Sequence, residues 1–505
     1  MGGFRAALED SLETANRSQS RTAAAPLIFL LVLATAFRSS AQKLASGSLP
    51  SEKLSQYADL AVDWERQYLQ INTSNPPGNE AKAAAFFKSV FDREGIENKV
   101  FGYAPGRANV WACVPRTALA GSCEQDVRQA GQQRRAIILL SHEDVVTSDP
   151  EHWRVPPFSA QVVDGSMYGR GAQDMKSEGL AQLVVMVMLK REHIALDRDV
   201  IMLATADEEA GDTGSDWMIA NQRELLNAEY LLTEGGENLN ENGRAKFIGI
   251  DVAEKAPFWL TVKATGRPGH GSRPIAGSAP DQLVEALSKL IAYKTPLHVI
   301  PVVDEFFKTM AVFEPPDRQR YFRDIDEGLK DANFRASLEN DAATNYMLRN
   351  TISLTMLKGS EQTNVIPGEA TANVDVRLLP GQDPKQFLEE IRNVVSTPNV
   401  TVEPQNAEFR AANASSIQTP LYAAIKQVAA HYFPGAPVVP HLTSGYTENQ
   451  MYRGIGITCY GFSPYTATAE EGSTEHGDNE RIRVEELRRG FQVLYDVVAQ
   501  VAAKQ

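Results

Sequence analysis

The sequence predicts an α/β protein in which a large main domain carries a second, inserted domain. Short aliphatic runs that indicate buried strands alternate with segments of helical periodicity, and polar side chains stand directly at the ends of several runs. A chain of 505 residues has room for two or three domains. The predicted organisation is a leader at 1–41, a main domain built from 42–254 and 411–505, and an inserted domain at 255–410.

Composition narrows the classes of function. Apolar residues make up 43% of the chain and charged residues 23%, as in ordinary globular proteins. A formal net charge of −14 argues against a nucleic-acid partner, because phosphate contacts need clustered Lys and Arg. Cys113, Cys123 and Cys459 lack the spacing of a thiolate zinc site. Cys113 and Cys123 either form a small disulfide loop in an oxidising compartment or remain free thiols.

The amino end predicts an export signal. An apolar run at 25–37 follows Arg5, Arg17 and Arg21, and it is shorter than a membrane-spanning helix. Small residues near its end predict cleavage at about 36–42. We therefore expect a secreted or periplasmic protein without stable membrane association after cleavage. An uncleaved membrane anchor is the less favoured alternative.

The first half of the main domain begins with two helical patterns and a strand pair. Helix-period apolar residues run over 51–71 and 80–94, separated by the breaker Asn75-Pro76-Pro77-Gly78. Residues 100–111 predict a strand, a turn and a second strand. The aliphatic run at 136–140 predicts a buried strand.

Candidate metal ligands follow this buried strand. His142 and Asp144 are two residues apart, so on extended backbone their side chains face the same way. Asp174 comes after the glycines at 165, 169 and 171, which permit tight turns. Imidazole and carboxylates gathered at strand ends suit a divalent metal ion of the zinc type.

Two further strand-like runs end in acidic residues. The run at 199–206 is followed by Asp207, Glu208 and Glu209, and the run at 228–233 by Glu234 and two glycines. Adjacent carboxylates on extended backbone point in opposite directions. One of them can therefore hold a metal ion while its neighbour faces the substrate.

The inserted domain is predicted to be α+β. Alternating residues at 258–264 indicate a strand, and further strands and helices alternate from there to 394. The segment 296–350 is mixed and partly helical, and it either lines the pocket or only fills out the insert. The chain then returns to the main domain and ends in an amphipathic helix over 484–503.

These motifs together resemble the signature of the co-catalytic zinc peptidases, which include acetylornithine deacetylase, succinyl-diaminopimelate desuccinylase, aminoacylase and glutamate carboxypeptidase. The matching residues are His-x-Asp-Val-Val from His142, Trp153, Pro156-Pro157-Phe158, Asp164-Gly165, Gly169-Arg170-Gly171-Ala172-x-Asp174-Met175-Lys176, Asp-Glu-Glu-x-Gly from Asp207, Glu234 and Glu475-His476-Gly477-Asp478-Asn479-Glu480. Thr147 departs from a frequent proline. The resemblance implies a mixed central sheet flanked by helices, with an inserted lid domain that is often used for homodimerisation.

The resemblance also implies a two-metal centre, with two Zn²⁺ per chain or Co²⁺ or Mn²⁺ in their place. His142 and Glu234 would bind one ion, Glu209 and His476 the other, and Asp174 would bridge them. An anionic bridge is needed because two divalent ions at about 3.5–4 Å repel strongly. Asp144 would not bind an ion itself but would hydrogen-bond to His142 and fix its tautomer.

Catalytic and substrate-binding roles follow from the same resemblance. Glu208 would be the general base that takes a proton from the attacking water. His270 would donate to the oxyanion, often from the partner subunit. Asn364, Arg377 and Gly445 would bind the substrate, although Glu448 stands where the family usually has Asp.

We therefore expect a secreted dinuclear metallohydrolase that cleaves a peptide bond next to a free carboxylate, as a carboxypeptidase or dipeptidase. Deacylation of an N-acyl amino acid is the alternative, because both substrates are secondary amides. A metal-bound, non-catalytic binding protein is the remote alternative, and the presence of Glu208 argues against it. The remaining histidines are expected to be structural or surface residues: His152, His193, His298, His431 and His441.

Overall fold

The computed structural model describes residues 44–116, 122–129, 135–406 and 409–504. The predicted leader therefore lies outside the described residues. Within the described ranges, no helix is both long and apolar enough to cross a membrane.

The described helices are α1 (Ser51–Leu69), α2 (Glu80–Glu94), α3 (Cys123–Gln129), α4 (Lys176–Arg191), α5 (Thr213–Asn221), α6 (Ala279–Ala292), α7 (Pro301–Met310), α8 (Pro316–Arg323), α9 (Ile325–Gly328), α10 (Ala332–Glu339), α11 (Ala342–Asn345), α12 (Pro384–Val394), α13 (Pro420–Tyr432), α14 (Asn449–Gly454), α15 (Ala469–Gly472) and α16 (Val484–Ala502). The described strands are β1 (Glu97–Ala104), β2 (Arg107–Val114), β3 (Ala136–His142), β4 (Val162–Val163), β5 (Ser166–Tyr168), β6 (Val200–Thr205), β7 (Ala228–Thr233), β8 (Asn240–Glu241), β9 (Arg244–Ala245), β10 (Ile248–Glu254), β11 (Ala256–Pro257), β12 (Leu260–Thr265), β13 (Gly269–His270), β14 (Thr351–Lys358), β15 (Val365–Ile366), β16 (Glu369–Leu378), β17 (Val400–Pro404), β18 (Val438–Thr443), β19 (Thr458–Gly461) and β20 (Arg481–Arg483).

The main domain is built on an eight-stranded mixed sheet with the order β1-β2-β6-β3-β7-β19-β10-β18. Strands β6, β3, β7 and β19 run parallel to one another at its centre. The pairs β1–β2, β2–β6 and β10–β19 are antiparallel. The α/β fold with a mixed central sheet is therefore confirmed.

Helices cover both faces of this sheet, and the side chains of β3 show why the strand is continuously apolar. Ile137 and Leu139 belong to the larger core cluster, which includes residues of α1, α2, α4, α13 and α16. Ile138 and Leu140 point the other way, into a second cluster with residues of α3, α5 and α14. A strand buried on both faces carries aliphatic residues at every position.

The inserted domain has its own sheet and core. Its strands follow the order β11-β16-β12-β17, and β14 pairs with β16. Helices α6 and α12 pack on this sheet through a cluster that contains Leu283, Leu287, Phe387 and Ile391. This part of the chain has the predicted α+β character.

The helical segment α7–α11 differs from the prediction of one inserted unit over 255–410. Val303, Phe307, Phe322 and Phe334 belong to the core cluster of the main domain, not to that of the inserted sheet. Helix α7 packs on β18, the edge strand of the main sheet. The segment joins the main domain because its apolar residues find their partners there.

The structure also distinguishes the two alternatives for the cysteines. Cys113 on β2 and Cys123 on α3 form a disulfide, with their Cα atoms 6.1 Å apart. Cys459 is a buried free thiol.

Candidate metal centre and active site

The ends of three adjacent parallel strands create the site. His142 is the last residue of β3, Glu208 and Glu209 follow β6, and Glu234 follows β7 directly. Because β6, β3 and β7 are neighbours that run the same way, their carboxyl ends meet at one edge of the sheet. The sheet thus brings His142 and Glu234 together although they are almost one hundred positions apart in the sequence.

Asp174 lies at the centre of this group. One carboxylate oxygen, Oδ1, is 2.8 Å from Nε2 of His142, and the other, Oδ2, is 2.8 Å from Nε2 of His476. Glu234 Oε2 lies 3.6 Å from the His142 nitrogen, and Glu209 Oε2 lies 3.2 Å from the His476 nitrogen. Each imidazole therefore has its own glutamate, and the two halves share Asp174.

The donor set fits divalent cations of the zinc type. Two imidazoles and three carboxylates supply nitrogen and oxygen ligands in the combination that such ions prefer. Ligand atoms of His142, Asp174 and Glu209 lie within 4.8 Å of one another, as do those of His142, Glu208 and Glu234. Glu209 Oε1 is buried without a hydrogen-bond partner among the described residues. A buried, unpaired carboxylate oxygen is costly unless a cation or donor meets it.

Titration of the group reflects its excess of negative charge. Hydrogen bonds to Asp174 and Glu209 raise the pKa of His476 to about 11. Burial raises the pKa of Glu208 and of Glu234 well above the usual range, and neighbouring carboxylates add to this effect. The pKa of Asp174 lies below its usual value because hydrogen bonds from His142 and His476 outweigh its burial. Positive charge is therefore favoured between these side chains.

Asp144 acts on the neighbouring turn more than on the imidazole of His142. Its backbone oxygen is 3.0 Å from Nδ1 of His142, whereas its carboxylate oxygen Oδ1 is 3.6 Å away. Its carboxylate accepts the backbone N–H groups of Glu208 at 3.1 Å and Glu209 at 3.2 Å. Nδ1–H of His142 is donated to the Asp144 carbonyl and Nε2–H to Asp174, so Nε2 is the nitrogen that a metal ion bound beside Asp174 would take once it has lost its proton.

Asn75 and Arg107 support the same turn, and sequence reasoning missed both. The Asn75 amide donates to Asp144 at 2.8 Å and to Asp207 at 2.7 Å, and it accepts from Arg107 at 2.9 Å. Arg107 also pairs with Asp207 at 3.0 Å. Asp207 has a left-handed φ of 72° immediately before Glu208. Asn75 stands in the Pro-Pro-Gly breaker, which was interpreted only as the end of a helix.

Arg170 and Glu480 join the loops that carry Asp174 and His476. Glu480 accepts the backbone N–H groups of Gly171 at 3.0 Å and Asp174 at 3.2 Å. It also pairs with Arg170 at 2.6 Å, and Arg170 donates to the carbonyl oxygen of Gly477 at 2.8 Å. Both residues lie in the motifs of the resemblance, but their pairing could not be read from the sequence.

The predicted lid residues form a separate group. His270 is exposed on β13, and its Nδ1 accepts the backbone N–H of Ser272 at 3.1 Å. Asn364 lies beside it, because its backbone carbonyl accepts the N–H of Gly271 at 2.7 Å. Within the described ranges, neither side chain makes a hydrogen bond or ion pair with the carboxylates and imidazoles of the metal-ligand group.

Arg377 makes its ion pair elsewhere, and Gly445 belongs to a different loop. The Arg377 guanidinium pairs with Asp375 on the same strand, at 2.8 and 3.1 Å. Gly445 lies in the loop between β18 and α14. Glu448, the departure noted above, is buried and accepts from Thr205 at 2.9 Å. Its longer side chain is therefore accommodated under the end of β6.

The fold and this side-chain group define a metal-dependent hydrolase acting on amide bonds. The sequence profile of peptidase family M20/M25/M40 matches residues 138–500. The chain therefore belongs to this family, which is metal-dependent and typically dinuclear.

The proteins to which this chain is similar include both a deacylase and peptidases. Human aminoacylase-1 is 26% identical over 434 residues, which cover 85% of this chain and 92% of that protein. An M20 family metallo-carboxypeptidase from Sulfolobus solfataricus has a TM-score of 0.63 at 17% identity, covering 87% of this chain and 99% of the other. Human carnosine dipeptidase 1 has a TM-score of 0.58 at 18% identity, covering 89% and 99%. At these identities the two structures show a shared fold.

Proposed function

We propose that this chain uses two divalent cations, Zn²⁺ or alternatively Co²⁺ or Mn²⁺, to hydrolyse an amide bond next to a free carboxylate. The observation that carries the proposal is the position of Asp174, whose two oxygens each lie 2.8 Å from a different imidazole. His142, Asp174 and Glu234 would hold one ion. Asp174, Glu209 and His476 would hold the other.

When bound, two such ions lower the pKa of a water molecule and polarise the substrate carbonyl. Glu208 is the base that receives the proton of the attacking water and delivers it to the leaving nitrogen. Its backbone is fixed by the hydrogen bond from its N–H to Asp144, at 3.1 Å. A carboxylate oxygen of Glu208 lies within 4.8 Å of ligand atoms of His142 and Glu234. It is therefore close enough to the ion that these two residues would hold to receive a proton from the attacking water.

Two classes of substrate, N-acyl amino acids and short peptides, differ in the acyl group of the amide bond. The similarity to human aminoacylase-1, which extends over 85% of this chain, favours an N-acyl amino acid. The likeness to the dipeptidase and carboxypeptidase structures is a likeness of fold alone. We therefore place N-acyl amino acids first and short peptides second, as substrates of the same site.

We also propose that the chain forms a homodimer through the inserted domain. Strand β14 lies at the edge of that sheet and exposes Met356 and Leu357, at 63% and 66% of their surface. Helix α6 exposes Val284 and Ile291, seven residues apart on one face, at 68% and 71%. An unpaired edge strand beside exposed apolar side chains is suited to pairing with a second copy. His270 from one copy would then serve the metal centre of the other.

The test is a substrate panel. The purified protein, loaded with zinc, would be incubated with N-acyl amino acids of increasing chain length, dipeptides and longer peptides, and products followed by mass spectrometry. Release of free amino acids from either class, abolished by a chelator and restored by Zn²⁺, is the expected result. No turnover of any amide by a protein that binds two ions would contradict the proposal and favour a binding protein.

A further inference from the structure

A partly buried histidine outside the family motifs connects three distant segments next to the metal centre. His441, on β18, places Nδ1 2.6 Å from Oδ1 of Asp251 on β10. Its Nε2 lies 3.0 Å from the hydroxyl of Tyr346, which belongs to the short 3₁₀ turn Tyr346–Leu348 at the end of the helical segment. From the sequence, only a structural or surface role was expected for this histidine.

Asp251 contacts the turn that carries the metal ligand Glu234. Its Oδ2 accepts the backbone N–H of Gly236 at 2.9 Å. Gly235 and Gly236 have φ values of 110° and 80°, and a Cβ on Gly235 would lie 2.5 Å from Asp251 Oδ2. The turn after Glu234 therefore rests directly on the Asp251 carboxylate, and only glycine permits that approach.

Hydrogen bonding assigns the protons along this chain. Tyr346 donates its hydroxyl proton to the carbonyl oxygen of Leu442 at 3.1 Å, which leaves its oxygen free to accept from Nε2–H of His441. Nδ1–H then donates to Asp251, so His441 carries a positive charge that offsets this carboxylate. The effect of Asp251 outweighs burial and raises the pKa of His441 in agreement with this arrangement.

The end of the helical segment is held by hydrogen bonds close to Tyr346, the residue that contacts His441. Lys255, fully buried between the two domains, donates to the carbonyl oxygens of Tyr346 at 3.1 Å and Arg349 at 2.9 Å. From α7, the ring of Phe306 lies 6.1 Å from that of His441. The phenol is thus held in place by contacts that do not involve the metal centre.

We propose that His441 is a positioning residue for the Glu234 metal ligand, acting through Asp251 and braced by Tyr346. Removal of the imidazole leaves Asp251 without its counter-charge, so the carboxylate that accepts the N–H of Gly236 is no longer held in one orientation. Residues that orient a metal ligand in this way typically contribute about 10–100-fold to metal affinity. Loss of His441 should therefore weaken binding of the ion held by His142 and Glu234. Through Tyr346, the helical segment would support that half of the site.

This inference rests on the two-metal site proposed above, and metal binding by the full-length chain tests it. Stripped protein would be titrated with Zn²⁺ against a chromophoric chelator, and with Co²⁺ followed by its visible absorption. The variants are His441→Leu, His441→Asn, whose amide can still donate to Asp251, and Tyr346→Phe. His431→Asn, on the exposed surface of α13, is the matched control. Thermal unfolding without metal measures the structural cost of each change.

In His441→Leu, one of the two binding steps is expected to weaken by about 10–100-fold while the other is unchanged. His441→Asn should recover most of that loss, Tyr346→Phe should weaken the same step by a smaller factor, and the control should match wild type. Two unaltered steps in His441→Leu, or equal losses in the Leu and Asn variants, would overturn the inference. If the Leu variant does not fold, an unaltered Tyr346→Phe overturns it. A wild type that binds fewer than two ions would instead contradict the proposed function.

Discussion

Glu208 is the residue whose removal should separate chemistry from metal binding. Its neighbour Glu209 points to the imidazole of His476, at 3.2 Å, whereas Glu208 lies near His142 and Glu234 without an imidazole contact of its own in the described structure. We expect Glu208→Gln to lower kcat by about 10²–10⁴-fold, because the proton acceptor is lost. Two zinc ions per chain should remain, as measured by elemental analysis of dialysed protein.

Glu209→Gln is the matched comparison for this prediction, because it changes the adjacent carboxylate in the same way. It should lose zinc as well as activity, since an amide replaces a charged ligand. Full turnover by Glu208→Gln, or equal zinc loss in both variants, would contradict the roles assigned to the two residues.

The pair of Arg170 and Glu480 offers a second test on single residues. Their side chains are 2% and 1% exposed, so Glu480→Gln leaves a buried guanidinium without its counter-charge. Breaking such a pair typically costs about 3–5 kcal/mol of unfolding free energy. Zinc affinity should fall too, because Glu480 accepts the N–H of the bridging Asp174. Urea unfolding and zinc titration measure the two effects.

Glu470→Gln is the control for that variant. Glu470 on α15 pairs with Arg481 on β20, but its side chain is 84% exposed. Exposed pairs contribute little to stability, so this variant should resemble wild type. If Glu480→Gln behaves like Glu470→Gln, the proposed support of Asp174 by Glu480 is wrong.

At the scale of elements, the edge strand β14 predicts the oligomeric state. Replacing Met356 and Leu357 by Glu places charges on the exposed face and edge that a second copy would cover. We expect a dimer in the wild type and a monomer in the double variant, by light scattering after gel filtration. Activity should fall with dissociation, because His270 would no longer reach the partner's metal centre. A monomeric and fully active wild type would exclude this arrangement.

A subunit-mixing experiment isolates the role of His270. His270→Ala and Glu208→Gln should each be inactive alone. If His270 serves the partner's site, a mixed dimer contains one site with both groups intact, so activity should return after exchange of subunits. If both groups act within one chain, mixing restores nothing.

The elements that the sequence predicted well are those whose pattern is local. Helix α2 has the bounds that periodicity and flanking residues indicated, Glu80–Glu94. Strand β18 was missed because Pro440 and His441 interrupt its apolar pattern, which an edge strand tolerates. The segment 296–350 could not be placed because its helices are short and their partners lie elsewhere in the chain.

The same distinction holds for the site. Four of the five ligands could be gathered because each follows an apolar strand or a glycine turn, whereas His476 was found only through its motif; the structure brings all five predicted ligands together. Supporting pairs were invisible because their members are far apart in sequence: Arg170 and Glu480 are separated by 310 positions, and Asp251 and His441 by 190. Contacts of that length depend on the topology of the whole sheet, which local patterns do not encode.

At the scale of the whole molecule, the proposed metal centre joins segments from both halves of the main domain. His142, Asp174, Glu209 and Glu234 belong to the part before the insert, and His476 comes after it. Ions bound between them therefore couple the two halves across the inserted domain. Without ions, the crowded carboxylates repel one another, and burial together with this repulsion raises the pKa of Glu234.

Metal removal should consequently lower the stability of the main domain, and by an amount that depends on free zinc. A ligand that binds only the folded state stabilises it by about 2.7 kcal/mol at one hundred times its Kd, with a logarithmic increase beyond that concentration. Thermal unfolding in zinc buffers of increasing free concentration should thus show a steadily rising Tm above the chelated baseline. Asp174→Asn provides the control, because it removes the charge shared by both halves of the centre while retaining nearly the same volume. Its Tm should barely respond to zinc, and in chelator it should unfold earlier than the wild type, because the lowered pKa of Asp174 means that its charged hydrogen bonds with His142 and His476 stabilise the metal-free fold. A zinc-dependent rise of equal size in this variant would place the stabilising ions elsewhere in the chain.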